Sequence, residues 1–315
     1  METTNKMKHV LVIHYSQSGQ LSEIVKNIVS PMASSEEIKV THHRIEMEKP
    51  YPFPWNKKAF FGVFPEAFLQ IPEKIKPIPS EITNQKYDLV ILGYQIWYLT
   101  PSIPTNSFLK SESAKKILDN TPVITVIGCR NLWIQAQEKM KILLASCNAK
   151  LVGNIALVDR HINHISVLTI KHWMFKGKKS RFLGFFPKPG VSDKDIKNVA
   201  KFTPSIKDAL LASNFSGLQK KLVQLGAVKI KPFLVIVDKR GNIIFSKLAN
   251  LAYKKGKTSK TGRENLLIFF NYYLLFAIWI IAPLVFIVFL TAYIFMYKKI
   301  SREKKYYSSV DTKNN

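Results

Sequence analysis

Residues 16–20 read Ser16-Gln17-Ser18-Gly19-Gln20, and their types and spacing suit chemistry better than any other stretch of the chain. A short apolar run, 10–13, leads into them. Leu21, Ile24, Val25 and Ile28, at helical spacing, lead out. A strand, a hydroxyl-rich turn and a helix start together make an anion site. The turn aims amides and hydroxyls at one place, and the helix dipole adds partial positive charge there. No lysine follows the glycine, so this is not a nucleoside-triphosphate loop, and one glycine is too few for a dinucleotide fingerprint. The pattern predicts a phosphate held by hydroxyls and amides alone.

Two further segments follow apolar runs in the same way. Gln95-Ile96-Trp97-Tyr98 comes after 89–94, and Cys129-Arg130-Asn131 comes after 122–128. Trp97 and Tyr98 offer flat surfaces for a planar ring; the competing reading is a core aromatic pair. Arg130 and Asn131 suit the polar edge of a ligand or an anionic substrate, and a cation there would favour an anionic reduced state. The competing reading for Arg130 is a surface ion pair. A cysteine nucleophile needs a base beside it, and the sequence places no histidine next to Cys129. His161, His164 and His172 lack a carboxylate or cysteine that would complete a metal site, so no metal is expected. Cys129 and Cys147 suggest no disulfide framework and point to a reducing compartment.

These segments need a scaffold. Runs at 10–14, 88–94, 122–128 and 150–158 read as buried parallel strands, and the alternating run 38–44 reads as an edge strand. Helical patterns lie between them. The alternation predicts an α/β fold, a doubly wound five-stranded parallel sheet with right-handed crossovers. Ligands of such sheets bind at the carboxyl ends of the strands, where 16–20, 95–98 and 129–131 would converge. The Pro- and aromatic-rich stretch 50–79 is either a roof over a flat ligand, with a short helix from about 65, or ordinary packing. A basic insertion at about 160–190 suggests an interfacial helix or a lid. The apolar runs 233–238 and 243–247 flank Lys239-Arg240-Gly241-Asn242 and read as a hairpin.

The expected layout is a ligand-binding domain over 1–226, the hairpin and a basic linker over 227–263, a membrane segment over 264–300 and a basic tail over 301–315. Residues 266–297 carry no charge. As one helix they would measure about 48 Å, against a bilayer core of about 30 Å. That predicts either a tilted single span or a reversal at Pro283. Cations flank both ends, which favours the reversal and a cytoplasmic catalytic domain at the inner (cytoplasmic) membrane. The polar N-terminus running straight into a strand predicts no signal peptide. The 315 residues include 47 Lys and Arg against 21 Asp and Glu, a net charge of +26. Such an excess seeks an anionic surface. No nucleic-acid module is visible, so a phospholipid membrane is the expected partner.

Residues 16–20 resemble the phosphate loop of the flavodoxin-like flavoproteins. Tyr94-Gln95-Ile96-Trp97-Tyr98 with Thr100-Pro101-Ser102-Ile103-Pro104 is similar to the aromatic, proline-containing loop with which related quinone reductases flank the flavin. Gln20 and Leu21 depart from the pattern, where Asn and a hydroxyl residue are usual. A narrower resemblance rests on Tyr15-Ser16-Gln17-Ser18-Gly19-Gln20-Leu21, Cys129-Arg130-Asn131-Leu132-Trp133 and the C-terminal apolar segment. It is to the flavodoxin-like proteins of bacterial dialkylresorcinol and flexirubin pigment pathways, often labelled condensing enzymes. The resemblance implies FMN as cofactor, with Ser16, Gln17, Ser18, Gly19, Gln20, Gln95, Ile96, Trp97, Tyr98, Cys129, Arg130 and Asn131 around it. It also implies a membrane-associated oxidoreductase that aromatises a cyclic dione, a lipophilic substrate, and a ketosynthase or acyl-carrier partner. An NAD(P)H-dependent quinone reductase and a non-catalytic assembly partner with a degenerate flavin site stay open as alternatives.

Overall fold

A computed structural model describes residues 7–312. The strands are β1 (Lys8–His14), β2 (Ile38–Arg44), β3 (Leu89–Tyr94), β4 (Ile96–Trp97), β5 (Thr100–Pro101), β6 (Pro122–Cys129) and β7 (Lys150–Val158). The helices are α1 (Gln20–Ala33), α2 (Lys57–Gly62), α3 (Phe64–Phe68), α4 (Ser80–Thr83), α5 (Ile103–Leu109), α6 (Glu112–Leu118), α7 (Ile134–Ser146) and α8 (Asn163–Lys176). They continue with α9 (Asp193–Asn198), α10 (Thr203–Leu211), α11 (Leu218–Gln224), α12 (Pro232–Thr258), α13 (Lys260–Phe276), α14 (Ala282–Ala292) and α15 (Tyr297–Ser308).

Five strands form a parallel sheet in the order β2-β1-β3-β6-β7. This is the flavodoxin-like order of a doubly wound sheet, as the alternation of the sequence predicts. Val10 to Ile13 and Leu89 to Leu92 are wholly buried because helices cover both faces. The first helix lies close against the sheet. A Cβ on Gly93 would come within 2.9 Å of both His14 and Val25, so only glycine admits α1 at that distance. That contact fixes where the 16–20 loop sits over β1 and β3. β4 and β5 pair as a short antiparallel hairpin directly after β3.

The C-terminal third differs from the sequence reading. Residues 233–247 are not a hairpin but lie within the 27-residue helix α12. Val235, Asp238, Asn242, Phe245, Ala249 and Ala252 recur at steps of three or four and face inward, so helical periodicity overrides the local strand-like runs. The expected basic linker is the end of this helix and the start of the next. The reversal at Pro283 is also absent: the chain passes through it as one helical stretch, Lys260–Ala292. A π-helical turn at Ala277–Ile281 precedes the proline and absorbs the hydrogen bond that its missing N–H cannot make. α12 and α13 pack antiparallel, with Phe245 against Phe270 at 5.1 Å. Residues 301–308 of the basic tail are helical. α15 packs back on the sheet domain through Tyr306 to Glu138 (2.7 Å) and through the Ser308 carbonyl, which accepts from Gln219 (2.8 Å).

Candidate functional site

The 16–20 loop crosses the carboxyl end of β1. Ser16 is fully buried, and its Oγ has no hydrogen-bond partner among the described residues. Gly19 caps α1 with φ +83, and a Cβ there would meet nothing within 4 Å. The first amides of a helix have no intrahelical acceptor, so those of the first turn stand free for an anion. Arg44, at the end of β2, donates to the Ser16 carbonyl at 2.9 Å and adds positive charge beside the loop. The parallel register that pairs His14 with Arg44 places it there. A fully buried hydroxyl without a partner is costly unless a ligand supplies one. These residues therefore fit a phosphate group.

The departures at Gln20 and Leu21 have structural causes. The Gln20 side chain donates to the Val191 carbonyl (3.2 Å) and accepts from the Val191 amide (3.1 Å), so it clamps the exit of the basic insertion. Leu21 is buried in the core beside Gly93 and Gly128. The insertion is anchored elsewhere too: the Trp55 amide donates to the Met174 carbonyl at 2.8 Å, and Trp173 is buried. α8 and its following loop thus sit against the phosphate loop and the 50s segment. His14 Nε2 lies 2.8 Å from Ser22 Oγ in the first turn of α1. Burial, aided by the Arg44 charge, pushes its pKa down to about 4, so the imidazole is neutral and structural.

The segment after β3 lies next to the loop. The Gln17 amide donates to Gln95 Oε1 at 3.3 Å, and Gln17 Nε2 reaches the Pro52 carbonyl at 2.7 Å. Ile96 and Trp97 form β4, half-buried. Trp97 meets Tyr51 (4.9 Å), Trp55 (5.4 Å) and Tyr15 (6.0 Å) edge-on. Tyr98 and Leu99 make the turn of the hairpin with φ +53 and +64. Such turns favour Gly or Asn, and a bulky residue in this region carries strain of about 1 kcal/mol or more. The turn is held by the Tyr98 hydroxyl, which donates to the Phe60 carbonyl at 2.6 Å, and by burial of Leu99. The Tyr98 ring packs into a separate cluster with Phe64 (5.1 Å) and Phe270 (5.9 Å). In the stretch 50–79, Phe64 and Phe68 are core, and Tyr51 and Trp55 reach Trp97.

After β6, Cys129 and Arg130 are drawn together with the end of β7. The Asp159 amide donates to the carbonyls of both, each at 3.1 Å. The Asp159 carboxylate accepts from the His161 amide (2.9 Å), Ser166 Oγ (2.9 Å) and the Gly190 amide (3.3 Å). This one buried side chain ties the post-β6 loop to the base of the insertion. Burial pushes the Cys129 thiol well above its ordinary range, with the carboxyl of Asp238 adding to the effect, so the thiol stays protonated. Arg130 is half-buried with Nη1 unpartnered among the described residues. Burial lowers its pKa to about 10, opposed by Asp159, and the guanidinium remains charged. Asn131 Nδ2 donates to Asn163 Oδ1 at 2.7 Å.

Nothing in the sequence singles out Asp159, Arg44 or Asp238. Asp159 and Arg44 each follow or end a legible strand, and their positions at the carboxyl end were the available signal. Asp238 gave none, because its stretch reads as a hairpin. It projects from α12, accepts from the Gln135 amide at the start of α7 (3.2 Å), and leaves Oδ1 without a partner among the described residues. Burial raises its pKa to about 7. The folded state then holds this proton more tightly than the unfolded chain. Stability from this group is full below about pH 4 and falls as pH rises towards 7. Asp238→Asn is expected to gain roughly 2–3 kcal/mol relative to the natural chain as pH rises from 5 to 8. Urea midpoints at several pH values measure this; parallel pH profiles would show that Asp238 is ionised throughout.

The three segments thus lie at the carboxyl ends of β1, β3 and β6, which are adjacent strands. No family model and no curated protein matches the chain. Solved structures similar to it include a candidate flavoprotein from Bacteroides eggerthii, at 20% identity over 47% of this chain and 87% of that one, with a TM-score of 0.36. A flavoprotein from Lactobacillus acidophilus, solved in complex with FMN, is 14% identical over 47% of this chain and 93% of its own, with a TM-score of 0.36. A candidate flavoprotein from Bacteroides uniformis is 18% identical over 54% of this chain and 99% of its own, with a TM-score of 0.38.

Proposed function

We propose that the chain is an FMN-dependent oxidoreductase acting at the cytoplasmic face of a membrane on a lipophilic substrate. We assign its step to the oxidative aromatisation of a cyclic dione in dialkylresorcinol or flexirubin-type pigment synthesis. The observation that carries the flavin reading is the buried, unpartnered Ser16 hydroxyl at a helix start, beside two more post-strand segments. FMN, when bound, accepts a hydride from carbon. Ser16, Ser18 and the amides around Gly19 bind the phosphate, and Arg44 adds charge behind it. Gln95, Ile96 and Trp97 border one side of the ring site, and Arg130 Nη1 and Asn131 border its polar edge. The proton that carbon loses passes to solvent as the hydride leaves. The protonated Cys129 argues against thiolate condensation chemistry. A substrate with two alkyl tails partitions into lipid, which gives the apolar helix a purpose, and an acyl-carrier or ketosynthase partner would supply it.

The test is an absorbance spectrum of detergent-purified protein, which is expected to show flavin bands. Trp97→Ala is expected to keep FMN bound while shifting those bands and the midpoint potential, because the phosphate anchors and the indole tunes the ring. An unchanged spectrum and potential would place Trp97 in the core alone. Colourless protein that takes up no added FMN would favour the non-catalytic assembly partner. Rapid bleaching by NADPH in a stopped-flow mixer would favour a quinone reductase instead.

A further inference from the structure

We infer that the apolar helix Lys260–Ala292 lies in the plane of an anionic phospholipid bilayer, sunk along one side, and does not cross it. The inference rests on the membrane association proposed above and specifies its geometry. At 33 residues the helix is long and apolar enough to cross. It would measure about 50 Å. Three sets of contacts hold it along the body of the protein. Near its start, Arg263 donates to both Glu66 carboxylate oxygens at 2.7 Å and to the Gly62 carbonyl at 2.8 Å, and Phe270 stacks on Phe64 at 3.7 Å. At its middle, His164 Nε2 donates to the Ile278 carbonyl at 3.0 Å, and the His164 ring lies 4.8 Å from Trp279. Near its end, Phe286 and Phe289 meet Phe233 at 4.9 and 5.7 Å.

The chain then returns to the same body. Lys239 pairs with Glu303 of α15 at 2.6 Å, and Ile300 and Tyr307 are buried. A crossing helix would put its two ends on opposite sides of a core about 30 Å thick. Here both ends are fastened to one domain. Ile268, Val288 and Leu290 are also at least half exposed, and along the outward side runs a stripe, Phe269, Tyr272, Phe276, Ile280, Leu284 and Ile287, each at least half exposed. They step by three or four residues, so they share one face. A helix lying in the interface sinks one apolar side into lipid and turns the other away from it; here the other side is turned to the protein body by Arg263, Phe270, His164 and Phe289. Exposed Lys257 and Lys260 lie at one end, and Lys298, Lys299 and Arg302 lie beyond the other. With a net charge of +26, that complements anionic headgroups.

Depth measurements separate the geometries. Phe269→Cys, Phe276→Cys, Ile280→Cys and Ile287→Cys, each in the full chain, are labelled with a fluorophore. The unsubstituted chain, labelled in parallel, corrects for Cys129 and Cys147. Each is bound to vesicles of phosphatidylglycerol and phosphatidylcholine carrying lipids brominated at different acyl depths. In-plane burial predicts the same shallow depth at all four sites. A crossing helix predicts depths spread over about 27 Å between positions 269 and 287; that result would overturn the inference and leave membrane association standing. No quenching at any site would overturn both, and doubled mass on cross-linking would then make a second copy of the chain the occupant of the stripe. Lys298→Gln with Lys299→Gln is expected to weaken partitioning to the anionic vesicles by roughly 25-fold, about fivefold per cation. Unchanged partitioning would reject the anionic headgroup as the partner.

Discussion

Ser16→Ala is expected to weaken FMN binding by roughly 10- to 100-fold while leaving the ligand-free protein as stable as before, or slightly more so. The two halves of this result have one cause. The Ser16 hydroxyl is fully buried with no partner in the chain among the described residues. Removing it breaks no internal hydrogen bond and relieves an unsatisfied donor, so the fold loses nothing. A hydrogen bond to a charged group contributes about 1.5–3 kcal/mol, and a phosphate oxygen is the acceptor proposed for this hydroxyl. Titration of FMN into the stripped protein, followed by flavin fluorescence, gives the affinity. A thermal melt without flavin gives the stability. If affinity is unchanged, the phosphate does not sit on Ser16; if the melt drops by many degrees, the hydroxyl has an internal structural role. Gly19→Val is the harsher companion, because a β-branched residue at φ +83 strains the loop itself.

Phe270→Ala is expected to destabilise the protein by about 3–5 kcal/mol, the usual range for emptying a buried phenylalanine site. Phe270 lies in the long apolar helix, yet it is 1% exposed and stacks on Phe64 with an interplanar angle of 8°. Tyr98 and Phe245 border the same cluster. The cavity would therefore open beneath the strained turn next to Trp97, and bound flavin should loosen with it. In detergent, the melting midpoint is expected to fall by roughly 10 °C, against almost no change for Phe269→Ala on the outward stripe. Equal, small effects for the two would mean that the helix is a detachable anchor. Removal of residues 260–315 should for the same reason leave an unstable sheet domain, because α13 and α15 complete its packing.

Much of the candidate site is legible in the sequence. Buried strands of a parallel sheet are continuous apolar runs, so 10–14, 89–94 and 122–128 announce themselves and their following segments. Ser16, Gly19, Trp97 and Arg130 could be found because they come directly after such runs. Arg44 and Asp159 sit at the same carboxyl edge but lack a motif, and their roles depend on which strand ends lie side by side. Asp238 is further off: its place at the start of α7 arises only because α12 folds back over the sheet from about 100 residues downstream.

The residue types alone determined the α/β alternation, the helix-headed hydroxyl loop, the cationic excess and the presence of one long apolar stretch, because each is written in local periodicity or composition. Tertiary structure decided the rest. Around Gly241, two short apolar runs satisfy both a hairpin and a helix, and packing against Leu99 and α7 selects the helix. At Pro283 the sequence offers a break, and a π-helical turn removes it. Whether the apolar stretch stands away from the domain or lies along it depends on Arg263 meeting Glu66 and Phe270 meeting Phe64, pairs about 200 residues apart. No local pattern encodes such contacts; they exist because the chain buries apolar surface wherever the assembled sheet and helices leave room for it.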